Sequence, residues 1–208
     1  MKTKKILALA LAAVLLMAMT VAGTVAYLKA ETTEVKNTFK PTDITVNLGE
    51  TKPTNNEAQI IPGVNIAKDP KVTADATDGV AYYVFVDVKE NNWLTAKEAD
   101  GTTLKLKYEV DTSIWTLLGT NNEGAKVYYH AVNDGSAFAE YVLKGEGEGD
   151  YANGMVTVSK NLEESDMQDA DGNALPSPTL TFQAYAIQQA TFTSEAAAYA
   201  EASGNTIQ

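Results

Sequence analysis

Apolar and polar residues alternate along much of this chain with the two-residue period of a β-strand. The densest such stretch, Gly79 to Lys89, is apolar on both faces. Val80, Tyr82, Val84, Val86 and Val88 share one face, and Ala81, Tyr83 and Phe85 make up most of the other. A strand apolar on both sides belongs at the centre of a covered sheet, so this segment is expected to be the spine of the fold.

Shorter alternating segments surround it. Ile44, Val46 and Leu48 alternate with Asp43, Thr45 and Asn47 in a half-buried strand that follows Pro41. Thr51 to Gln59 is a polar loop, Pro62-Gly63 marks a turn, and Pro70 is expected to confine the next strand to an edge or a bulge. Trp93 to Ala99 is read as a short helix before the Asp100-Gly101 turn. Leu104, Leu106, Tyr108 and Val110 then alternate with Lys105, Lys107 and Glu109, and Ile114 to Leu118 is expected to continue that strand or pair with it. Asn121 to Gly124 is a hairpin loop, with Lys126 to Val132 as the returning strand.

Beyond the Asp134-Gly135 turn, Phe138 to Leu143 fits strand or helix, and Gly145 to Asp150 is a loop. Asn153-Gly154 signals a two-residue hairpin leading into Val156 and Val158. Leu162 to Pro178 is acidic and rich in turn residues, and Leu180, Phe182, Ala184 and Ala186, with Tyr185 and Ile187 opposite, form the last strand. An Ala-rich helix of about two turns follows, with Thr193 or Ser194 as N-cap, Glu195 in the first turn and Gly204 at its end. Eight or nine short strands with helix only at the margin predict an all-β protein, a jelly-roll-like antiparallel β-sandwich with a short C-terminal helix.

The N-terminus has a different character. Met1-Lys-Thr-Lys-Lys5 precedes an uncharged run, and Thr24-Val25-Ala26 places small side chains where a signal peptidase reads them, so cleavage is expected between Ala26 and Tyr27. The uncharged run reaches Leu28, long enough to remain as a membrane anchor, although Gly23 and Thr24 weaken that alternative. The chain therefore divides into a signal peptide (1–26), an N-terminal arm or donor strand (27–40) and a β-sandwich domain (41–208). The arm is polar, and after Tyr27 and Leu28 its large apolar residues are Val35 and Phe39.

Charge and composition then exclude several functions. Removing residues 1–26 takes three of the 16 basic side chains and none of the 27 acidic ones, so the net charge goes from −11 to −14. Nucleic acid is an unsuitable partner for such a surface, and a membrane contact would run only through an uncleaved signal segment. Cysteine is absent, which removes disulfides, thiolate metal sites and cysteine nucleophiles together.

No residue pattern commits the chain to catalysis, a cofactor or a metal. His130 is the one histidine and alternates with Tyr128 and Val132, which fits a structural or solvent-facing role. Asp166, Asp169, Asp171 and Asn173 surround Gly172, but an EF-hand loop starting at Asp169 needs glutamate where Leu180 stands, so an acidic turn is the better reading. Glu146, Glu148 and Asp150 leave weak calcium binding open in the same way. The ten tyrosines mostly occupy alternating strand positions, where core and cross-strand packing is preferred to a carbohydrate platform.

Several segments together carry a resemblance. Gly23-Thr-Val-Ala-Tyr-Leu28 resembles the processing signal of substrates of the dedicated signal peptidase SipW. Val35-Lys-Asn-Thr-Phe39, the Pro62-Gly63 turn leading to Ala67-Lys-Asp-Pro-Lys-Val72, the strand after Val80, and Ala184-Tyr-Ala-Ile-Gln188 followed by Phe192 resemble, in that order, the frame of the TasA/camelysin family of secreted biofilm-matrix proteins. Residues 93–173 carry little that is specific to that family.

The resemblance implies a secreted, non-enzymatic jelly-roll subunit that assembles head to tail into extracellular fibres by donating its N-terminal strand, here the arm with Val35 and Phe39. Its implied partners are other copies of itself, the cell envelope or other matrix components, and its implied place is the extracellular matrix or cell surface. The metalloprotease label of camelysin-type members does not carry over, because there is no His-Glu-x-x-His motif and no second histidine. The alternative is a monomeric or membrane-anchored surface module that binds a host glycan or protein.

Overall fold

Tyr82–Asn91 (β4) is the spine that its two apolar faces require. It is paired on one side with Thr179–Gln188 (β10) and on the other with Lys126–Val132 (β7), beyond which lies Thr116–Thr120 (β6). Tyr82, Val84, Phe85, Val86 and Val88 are buried on its two faces. The computed structural model describes residues 43–51, 58–146 and 148–208, so the expected signal segment with Ala26 and the expected arm with Tyr27, Val35 and Phe39 lie outside the described residues.

A second sheet, ordered β1-β3-β8, consists of Ile44–Glu50, Pro70–Ala76 and Phe138–Tyr141. A third, small sheet, ordered β2-β9-β5, consists of Ile66–Ala67, Met155–Val158 and Leu106–Tyr108. Every pairing is antiparallel. The fold is thus the expected all-β, jelly-roll-like sandwich, with one short helix, Glu195–Ser203 (α1), at its end.

The main core lies where the even-numbered face of β4 meets Val72, Ala74, Ala76 and Phe138 of the second sheet and Val142 just after it. Trp115 is buried in it, and its indole N–H donates to the Tyr141 carbonyl at 2.8 Å. The Tyr82 hydroxyl reaches from one sheet to the other, donating to the Ser136 carbonyl at 2.7 Å and lying 3.1 Å from that of Ala74. Each fully buried valine here contributes roughly 1.5–3 kcal/mol, which explains how the domain holds together without disulfides. The odd-numbered face of β4 is covered by α1, with Tyr199 edge-on to Phe85 at 5.5 Å. Ser194 caps α1, accepting the Ala197 N–H, and Gly204 ends it in the left-handed conformation.

Four local expectations are corrected. Pro70 begins a central strand, not an edge: it holds the first position of β3, where its carbonyl accepts the Val142 N–H at 2.8 Å and no N–H is needed. Trp93 to Ala99 is not a helix; Lys97 bridges Leu104, and the Trp93 indole donates to the Leu106 carbonyl. Ile114 to Leu118 neither continues nor pairs with the 104–110 segment, because β6 begins at Thr116 and pairs with β7. Asn153-Gly154 does not form a hairpin between neighbouring strands, since β9 pairs with β2 and β5. Gly154 is instead pressed against the Lys68 carbonyl, 2.3 Å from where a Cβ would stand.

Candidate assembly surface

The direction of backbone hydrogen bonds is fixed by register. Gln189 N–H donates to the Ala81 carbonyl in line with the β10–β4 ladder, so the odd-numbered residues of β10 bond to β4. The N–H and C=O groups of Leu180, Phe182, Ala184 and Ala186 therefore point away from the sheet. In the same way Thr77 N–H donates to the Asp43 carbonyl, so Ile44, Val46 and Leu48 of β1 direct their backbone groups away from β3.

These two edges lie on the same side of the sandwich, and their Cα atoms come within 8 Å of each other. No ladder joins them. The side chains of the same residues, Ile44, Leu48, Leu180, Phe182, Ala184 and Ala186, pack onto the main core yet are only partly buried. The result is a seam: two edges that, among the described residues, pair with no further strand, beside a core they cover incompletely.

The seam has distinct ends. At one, Thr77 N–H donates to the Asp43 carbonyl and Gln189 N–H to that of Ala81. At the other, Glu50 pairs with Pro70 and with Lys68, at 2.8 Å, while Thr179 pairs with Asn91. This second end opens into a groove of about 850 Å³ lined chiefly by Ile61, Ile66, Trp93, Met167, Leu175 and Leu180, with Gln59, Lys68, Glu164 and Gln168 among its polar lining.

Exposed apolar side chains concentrate in this region. Val46 lies on the free edge of β1, Ile61 (47% exposed) and Leu175 (41%) line the groove, and Val64 is bridged to Ile61. Of the exposed large hydrophobics among the described residues, only Leu117 lies elsewhere.

The candidate chemical residues are occupied structurally. The His130 ring contacts the Ile114 carbonyl through Nδ1 at 2.8 Å and stacks on Phe138 at 4.9 Å. The Asp169 carboxylate accepts the N–H groups of Asp171 and Asn173, and Asp166 pairs with Lys105 at 2.8 Å. The acidic segment is therefore a self-bonded turn, and among the described residues no three metal-ligating side chains converge.

One buried polar cluster was missed by sequence reasoning. Asp87 lies under α1, where Oδ2 accepts from the Tyr199 hydroxyl (2.8 Å) and from Asn121 Nδ2 (3.1 Å), while Oδ1 has no partner among the described residues. Burial first, and then the nearby charge of Glu123, push its pKa up to about 6. The signal was available: a lone carboxylate in a strand apolar on both faces must be buried. Covered by α1, it is enclosed with the buried Tyr199 and Asn121. The edges were not legible in this way, because nothing local distinguishes β10 from a strand paired on both sides. No protein-family model, curated protein or solved structure matches this chain.

Proposed function

We propose that the chain is an exported, non-enzymatic structural subunit that assembles head to tail, the arm 27–40 of one copy pairing with the unpaired β10 edge of the next. The observation that carries this is the seam, with its two free edges beside an under-covered core. Strand addition to such an edge supplies backbone hydrogen bonds, and alternate side chains supply the missing apolar cover. Val35 and Phe39 are four residues apart, so on a strand they share one face. Because donor and acceptor surfaces differ, the contact repeats without closing and gives an open filament. The resemblance to the TasA/camelysin family points the same way, as does the export signal that would free the arm at Tyr27.

The test is size-exclusion chromatography with negative-stain microscopy on the chain beginning at Tyr27. Regular filaments that disappear when residues 27–40 are deleted, with the far-UV spectrum of the domain retained, are the expected result. A stable monomer after prolonged concentration would reject assembly and favour a surface module whose ligand enters the groove.

A further inference from the structure

We infer that the groove at the Glu50/Thr179 end of the seam is the anchor pocket for Phe39 of a second copy of this chain. The inference rests on the strand-donation reading and adds where the donated arm is held and from which end it enters.

The direction follows from the two ends. The arm precedes Asp43 in the chain, and Asp43 stands at the end of the seam marked by its bond from Thr77. In a head-to-tail filament that end faces the opposite end of the next subunit. The arm therefore reaches its acceptor at the Glu50/Thr179 end, and the first thing it meets there is the groove. The residues nearest the donor domain enter first in space, so Phe39 lies at the groove, Val35 over the start of β10, and Tyr27 farthest along the seam.

The lengths agree. Extended, residues 27–40 span about 46 Å, whereas the ten residues of β10 span about 33 Å. About four residues at the Lys40 end thus extend beyond the β10 edge, and Phe39 is among them. The groove suits an aromatic ring: Trp93, Ile66, Met167 and Leu175 supply apolar walls, and Met167 offers a polarisable thioether. Glu164, exposed in the polar lining of the groove, gives the neighbouring Lys40 a partner of opposite charge.

The test uses the chain beginning at Tyr27, with p-benzoylphenylalanine in place of Phe39. Isotope-labelled and unlabelled chains are mixed, irradiated and mapped by mass spectrometry. Crosslinks between chains to Met167, Leu175 or Trp93 are expected. Filaments whose crosslinks fall only on β1 or on β10 beyond Leu180 would overturn the anchor pocket while leaving strand donation standing. Crosslinks to the groove within one chain would overturn a second copy as the occupant. Absence of both filaments and crosslinks between chains would remove strand donation and the pocket with it. Independently, Leu175→Glu is expected to raise the concentration needed for filaments about tenfold with an unchanged thermal melt. An unchanged threshold would overturn the pocket.

Discussion

The four-stranded sheet has two edges, and the chain treats them in opposite ways. Beyond β6 the C-terminal residues cover the far end of the edge: Gln208 N–H donates to the Thr120 carbonyl, Asn122 N–H to that of Thr206, and Ile207 bridges Asn121. Gly119 leaves room for this, since a Cβ there would stand 2.6 Å from the Ile207 Cγ2. Beyond β10 the outward groups of Leu180, Phe182, Ala184 and Ala186 have no such cover among the described residues. One edge is covered at its end by residues 206–208, and the other has no comparable cover among the described residues. A ten-residue edge without a charged side chain is an aggregation hazard in a monomer, and the proposed strand donation would cover it.

The largest test of this difference uses proline on neighbouring residues of β10. Ala184 directs its N–H outward, so Ala184→Pro removes no ladder bond and is expected to leave the melt within a few degrees while abolishing filaments in micrographs. Tyr185 donates inward to β4, so Tyr185→Pro is expected to cost about 3 kcal/mol or more and to unfold much of the protein, as read by circular dichroism. Equal effects at the two positions would break the distinction between a free and a bonded side of the strand.

The closed edge can be opened. Removing Thr206, Ile207 and Gln208 takes away backbone bonds to the β6 edge together with the apolar cover of Ile207, which packs with Phe85, Val127 and Tyr199. A loss of about 2–4 kcal/mol in denaturant unfolding is expected, with irregular aggregation through the newly exposed edge. Unchanged stability would mean that the C-terminus does not act as a cover.

A comparable or smaller effect is expected from pH. The folded pKa of Asp87, about 6, lies above its ordinary value near 3.8, so the folded protein takes up a proton that the unfolded chain takes up only at lower pH. Its penalty is fully present above pH 6 and is relieved as pH falls towards 4, a gain of up to about 3 kcal/mol. Asp87→Asn is expected to flatten that part of the stability-against-pH curve measured by urea unfolding. Glu123, Tyr185 and Tyr199 face the same cluster, and Tyr185, raised to about 12 first by burial and then by Asp87, stays neutral throughout. An equally steep curve for the variant would assign the dependence to the general negative charge instead.

The elements legible in the sequence were those written in local periodicity and turn chemistry. Val84, Val86 and Val88 against Tyr83 and Phe85 determine that β4 is central, the alternation of Ile44 to Leu48 determines β1, and Asn121 to Gly124 determines the β6–β7 turn. Ser194 and Gly204 bound α1. Each depends on neighbours a few residues away, and the steric and hydrogen-bonding preferences involved act over that range.

Pairing was decided only by the tertiary structure. The outward face of β10 and the groove at its start exist because distant segments converge, and Asn153-Gly154, a sound hairpin signal, leads instead into a strand bonded to β2 and β5. Trp93 to Ala99 has helix-compatible residues but extends, because Trp93 gains more from burial against Tyr108 and the Leu106 carbonyl than a two-turn helix gains from propensity. Alternation determined which face of a strand seeks the core. Which edge stays unpaired depends on which strands the whole chain can bring alongside it, and no local pattern encodes that.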